Sequence, residues 1–361
     1  MKLLVAPITG TPSHRALETK SRHRWALSIL GAVLLLGLVA IVAAASGKAA
    51  IPLDLQAQMI AHRLGWAGPT AWPASYETIL FEIRLPRIAL AALVGGALAL
   101  AGATYQGIFR NPLADPYLLG IASGAGFGAV LAFVLPLPAA LYGIGIVQGL
   151  AFLGALVTVA VVYLLARVGR STPMTTLLLA GVASGALASA ATAYLMYVRG
   201  DKLLVIYAWL LGGFNVATWQ EVRLVAPAVL VSAVAIGLSA RTLNVLQLGE
   251  EQAAALGVNI ERAKLVLVVG ATLATAAAVS AGGLIGFVGL IVPHVARLLF
   301  GPDHRRLIPL ATLCGASFLV AADTAARSLP GPSEIPVGVV TAAVGAPFFL
   351  FLLRRQKRAV F

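Results

Sequence analysis

The sequence predicts an all-α integral membrane protein of about ten transmembrane helices, and three observations carry that expectation. Of the 361 residues, 60% are hydrophobic and only 11% are charged. Apolar runs near twenty residues long recur along the chain, the length that crosses about 30 Å of hydrocarbon. Basic residues gather at the ends of those runs instead of forming a stripe, as the positive-inside rule arranges them. A water-soluble fold of this size could not hide so much apolar surface, whereas lipid as the solvent removes the difficulty.

Taken in order, the first run is 25–45, preceded by Arg15, Lys20, Arg22 and Arg24. It exceeds the roughly 7–15 apolar residues of a signal peptide, so it reads as a retained span. Residues 48–84 mix Pro, Trp and charge and read as lying outside the hydrocarbon. Spans follow at 88–109, 117–135, 139–166 and 174–198; from Pro116 to Tyr197 only Arg167 and Arg170 carry permanent charge. A second interfacial stretch, 200–223, offers Trp209 and Trp219 as headgroup-level anchors. The later spans are 224–240, 264–281, 284–300, 307–326 and 336–353, and the break at 281–284 fits a re-entrant helix pair equally well. One membrane domain, 25–353, thus sits between a tail at 1–24 and a basic tail at 354–361.

An even number of spans puts both termini on one side. With the N-terminus inside, 18 of the 26 Lys and Arg residues fall on the cytoplasmic side and 8 outside, which favours that orientation. The net charge of +13 would suit nucleic-acid binding, but no continuous basic face with interleaved aromatics supports it. A lone cysteine, Cys314, rules out a disulfide within one chain and a cysteine-based metal site.

Several local patterns resolve into packing. Gly120, Gly124 and Gly128 recur every four residues, as do Gly282 and Gly286, a spacing that lets helix backbones approach in lipid. The stretch from Gly124 to Ala129 matches a dinucleotide fingerprint formally but lacks the preceding strand and the later acid. Neither a phosphate-binding GxxxxGK[ST] nor an HExxH occurs, and His294 reads as a satisfied structural histidine. Asp323 and Arg327, four apart, share one helix face and read as a local pair or, for Arg327, as an outward contact. Gly102 to Asp115 is echoed by Gly286 to Asp303, a glycine-containing span ending in a Pro/Asp turn, which fits two inverted-repeat-like halves of five spans. The stretch Leu248-Gly249-Glu250-Glu251-Gln252-Ala253-Ala254-Ala255-Leu256-Gly257 reads as a short cytoplasmic helix with acids in its first turn and a glycine stop. Such a helix can insert into a partner's groove.

Arg84-Leu-Pro-Arg87, Asn111-Pro-Leu-Ala-Asp-Pro116, the 248–257 stretch, Gly286 to His294, Asp303-His-Arg305 and Pro336 to Pro347 follow one another as in a known family. Together they resemble the FecCD-type permeases of bacterial ABC importers, which carry iron–siderophores, haem or vitamin B12. The resemblance covers nearly everything after residue 80. It implies the type II ABC importer architecture and a homodimer in the bacterial inner membrane. It further implies two separate ATPase subunits, which hold the ATP and Mg, and an extracytoplasmic substrate-binding protein. No cofactor is expected on this chain, which is then not itself an enzyme.

By the same resemblance, Leu248, Gly249, Glu250, Glu251, Ala255, Leu256 and Gly257 couple to the ATPase. Asn111, Pro112, Leu113 and Thr175 belong to a cytoplasmic gate, although the sequence around Thr175 departs from the B12 permease pattern. Arg84, Arg87 and Arg327 match positions that dock acidic residues of the binding protein. A siderophore or other iron chelate is the first expectation for cargo, then cobalamin, then haem. The rival reading is an ion-driven secondary transporter, which needs intramembrane acids, and the spans offer essentially Asp323 alone.

Overall fold

The computed structural model describes residues 14–357 except 48, 50, 67, 69–71, 142–143, 170 and 330–333. Its helices, in order, are α1 (His14–Ala45), α2 (Leu53–Arg63), α3 (Ala74–Glu77), α4 (Leu85–Ile108), α5 (Ile121–Val134), α6 (Ile146–Ala166), α7 (Met174–Val198), α8 (Leu203–Leu210), α9 (Trp219–Leu238), α10 (Ala240–Leu246), α11 (Glu250–Ala255), α12 (Ile260–Gly282), α13 (Val288–Phe300), α14 (His304–Ser328) and α15 (Val337–Lys357). A π-helical segment, Thr78–Arg84, runs α3 into α4 without a break. A two-stranded antiparallel hairpin, β1 (Ala140–Leu141) with β2 (Ile144–Gly145), precedes α6.

Each of the ten expected runs contains one apolar helix. Seven are long and apolar enough to cross a membrane, and three described segments, 121–134, 288–300 and 337–352, are shorter. At 1.5 Å per residue the 14 residues of α5 and the 13 of α13 reach about 20 Å, short of the hydrocarbon thickness. Left-handed backbone explains both. Gly120 (φ 76°) separates α5 from a 3₁₀ turn at Pro116–Leu119. Gly283 (φ 70°) and Phe287 (φ 69°) bound a non-helical stretch between α12 and α13. The break expected at 281–284 is real and lies at 283–287. Irregular backbone at this depth is tolerated only where protein covers it. Here Tyr117 Oη donates to the Ile285 carbonyl at 2.9 Å, and the Gly213 amide to that of Gly282 at 2.9 Å.

α4 is the axis of the molecule. Its Ala- and Gly-rich sequence makes a slender rod, and α9, α12, α13 and α14 close around it. A Cβ added to Gly102 would collide with the Gly289 backbone of α13, and one on Gly95 with the Gly315 carbonyl of α14. The two echoing segments therefore pack directly on each other. Their acids share a job as well: Asp115 caps the 3₁₀ turn through the Tyr117 amide at 2.8 Å, and Asp303 caps α14 through the Arg305 amide at 3.0 Å.

In a second group, α5 and α6 meet at Gly124, Gly128 and Gly154, and α7 joins them at Gly181 and Gly185. α1 lies along α14, touches α4 and the π-helical segment more lightly, and is otherwise open. Trp209, expected at headgroup level, is packed against the core, while Trp219 Nε1 donates to the Phe81 carbonyl at 2.7 Å. Overpacking at the α4–α13 contact should cost about 1–3 kcal/mol or more. Gly102→Val is expected to lower the melting temperature in detergent clearly. Gly286→Ala, where an added Cβ meets nothing within 4 Å, should leave it unchanged.

Candidate functional site

Residues 248–257 form a six-residue helix, α11, bounded by two glycines in left-handed backbone, Gly249 (φ 113°) and Gly257 (φ 83°). A Cβ would strain both turns, so glycine sets where the helix starts and stops. Ala253 is buried beneath it, while Leu248, Glu251, Ala255 and Leu256 are exposed. Leu248 and Leu256 are 56% and 65% exposed.

Glu250 turns the other way. Its carboxylate meets Lys264 Nζ at 2.8 Å, and Lys264, 3% exposed, also donates to the Thr172 carbonyl at 3.1 Å and pairs with Glu261 at 3.3 Å. One buried ammonium thereby joins α11, the first turn of α12 and the connector into α7. Thr175 follows three residues later, exposed, in the first turn of α7.

The second expected gate element adjoins the same helix. Gln247 Nε2 donates to the Gly107 carbonyl at the end of α4 at 2.8 Å, and Gly249 lies beside the Arg110 guanidinium. Arg110 takes a left-handed φ of 49°, which turns the chain out of α4. Asn111 then closes an Asx turn on the Leu113 amide at 2.9 Å, and His294 hydrogen-bonds the Pro112 backbone. Asn111, Pro112, Leu113, Thr175 and 248–257 therefore share one end of the molecule.

Beside them, Asn244 on α10 donates to Asp303 at 2.6 Å and accepts from the His304 amide at 2.9 Å, bracing α10 against α14. Burial raises the Asp303 pKa, but the Asn244 and Arg305 hydrogen bonds and the charges of Arg305 and Arg306 outweigh it, holding the carboxyl below its usual range. Sequence reasoning missed both the Lys264 linkage and the Asn244 brace. The Glu261/Lys264 spacing was the available signal for the first.

Some 20 residues of α4, about 30 Å, separate Gly107 from Arg87 at the opposite end. There Arg87 grips Asp323 with two nitrogens, at 2.9 and 2.8 Å, and Glu334 with the third, at 2.8 Å. Arg327 lies 3.7 Å from Asp323 and donates to the Ser46 and Ala43 carbonyls. Arg84 donates to the carbonyls of Ala44 and Ala49. Two guanidiniums thus cap the C-terminal end of α1, where backbone acceptors and the helix dipole both favour cations.

Arg84, Arg87 and Arg327 are all below a tenth exposed. The expectation of outward-facing docking residues meets a structure in which each side chain already has internal partners. The Asp323–Arg327 spacing does make a pair, yet Arg87 is the closer and bidentate partner. Glu334 was missed altogether.

Comparison with known proteins decides the family, since residues 32–355 match the FecCD transport family. The chain belongs to it. Relatives in this family include the cobalamin import system permease protein BtuC of Halobacterium salinarum, 47% identical over 82% of this chain and 80% of that protein. Another is the hemin transport system permease protein HmuU of Yersinia pestis, 44% identical over 80% of this chain and 88% of its own. Among solved structures, one titled an inward-facing conformation of a putative metal-chelate type ABC transporter superposes with a TM-score of 0.76 at 32% identity, covering 91% of this chain and 99% of the other. This FecCD protein is therefore an ABC transporter permease, a multi-pass membrane protein of a family of transport subunits and not of enzymes.

Proposed function

We propose that the chain is the translocating half of a homodimeric importer that carries an intact metal chelate inward. Two ATPase subunits would bind at residues 248–257, on the cytoplasmic side, and a substrate-binding protein at the opposite end. The observation that carries this reading is α11: a short helix with an exposed Leu248/Glu251/Leu256 surface, held from below by Glu250–Lys264. Movement of α11 would reach the α7 connector through Lys264 and the Asn111–Leu113 turn through Gln247 and Arg110. Docking of an acidic partner on Arg87 or Arg327 would require exchange of their internal carboxylate and carbonyl partners.

Cobalamin and hemin in the names of relatives at 47% and 44% identity support a tetrapyrrole-like chelate ahead of a siderophore. The test is uptake of labelled cobalamin or haem into proteoliposomes holding this permease, its ATPase and its binding protein. Uptake should require ATP inside the ATPase-accessible compartment. Uptake driven by a proton or sodium gradient without ATP would overturn the reading in favour of an ion-driven carrier. For such a carrier Asp323 is poorly placed, since Arg87 already holds it.

A further inference from the structure

Next to the coupling segment, α1, α9, α10 and α14 enclose a groove of about 840 Å³. Its walls are apolar, with Ile29 of α1, Leu100 of α4, Leu238 of α9 and Leu313 of α14. It stays open because α1 follows α14 and leaves a gap against α9, where Gly237 contributes no side chain; a Cβ there would meet nothing within 4 Å. Two exposed arginines, Arg241 at the start of α10 and Arg305 in the first turn of α14, line the same groove. Neither has a carboxylate within 4.0 Å among the described residues. Asp303, the acid nearby, is engaged by Asn244 and the Arg305 amide, and it also feels the Arg305 charge without a close ion pair to that guanidinium. The positive end of the long α14 dipole adds to the cationic character.

We propose that this groove binds one anionic phospholipid, with an acyl chain along the apolar walls and the phosphate between Arg241 and Arg305. The shape and charge argue for that occupant together. An apolar slot of this size suits hydrocarbon, and a cationic mouth between helices at membrane depth favours an anionic headgroup. A zwitterionic lipid would bring its own cation against two arginines. A free anion would leave the apolar walls unfilled. The bound lipid would tie α1, which has few other contacts, to the Asn244–Asp303 brace. The proposal stands independently of the cargo and of the direction of transport.

The test is native mass spectrometry of the purified full chain, exchanged into detergent with equal amounts of phosphatidylglycerol and phosphatidylcholine of matched chains. The wild type should retain phosphatidylglycerol with a preference of about 30-fold, the contribution of two arginines. Arg241→Ala with Arg305→Ala should bring the two lipids to equal retention. Gly237→Phe, which fills the groove and leaves both charges, should reduce retention of phosphatidylglycerol to the level of phosphatidylcholine. Three results would overturn the proposal: no preference in the wild type, an undiminished preference in either variant, or displacement of the lipid by excess inorganic phosphate.

Discussion

Glu251→Arg is expected to cut ATP-driven uptake by about 100-fold while the permease folds and inserts normally. Glu251 is exposed and forms no ion pair among the described residues, so the fold does not depend on it. Its reversal acts on whatever meets α11, and a misplaced charge at a buried interface costs about 2–5 kcal/mol. Glu250→Ala separates the two roles of this short helix. It leaves the outward surface intact but removes a carboxylate from buried Lys264, which retains Glu261 and the Thr172 carbonyl. The loss should be about 1–3 kcal/mol of stability. Measuring uptake and melting temperature for both variants distinguishes them. Normal uptake by Glu251→Arg would remove α11 from the coupling interface.

Asp323→Ala should destabilise the protein by about 3–5 kcal/mol, because it leaves the Arg87 guanidinium buried beside Arg327 without its bidentate partner. Glu334 is half-exposed and holds only one nitrogen, so it cannot compensate. Replacing both partners, Arg87→Leu with Asp323→Leu, removes the buried charges together. The pair should then recover most of the loss, as apolar substitutions for buried ion pairs commonly do. Thermal melts of Arg87→Leu, Asp323→Leu and the double in detergent close this cycle. Additive losses would show that the two residues do not act as a pair.

Length and apolarity are one-dimensional properties, and they made the spans legible: 174–198 was expected and is α7. Breaks within spans were harder. Gly120 and Gly283 could be seen as glycines but not distinguished from the many that only pack, and nothing in the residue type of Phe287 announces a left-handed backbone. Likewise, 200–223 looked interfacial because of its Trp residues, whereas Trp209 serves the core.

At the candidate sites, local motifs were readable and their distant partners were not. The α11 glycines and acids predicted a short helix in place. Arg87 and Asp323 lie 236 positions apart, and no spacing rule reaches that far. The arginines near span ends looked solvent-facing because that is where cations usually sit in membrane proteins. Free carbonyls at the end of α1, invisible in sequence, draw Arg84 and Arg327 inward instead.

The most direct measurement is the sidedness and contact of α11. With Cys314 replaced by Ala, a single cysteine at Ala254, exposed on α11, would be probed with a membrane-impermeant maleimide in oriented vesicles. Labelling is expected only from the cytoplasmic face, with protection when the ATPase subunit is bound. Labelling from the outer face, or accessibility unaffected by the ATPase, would contradict the coupling role of α11.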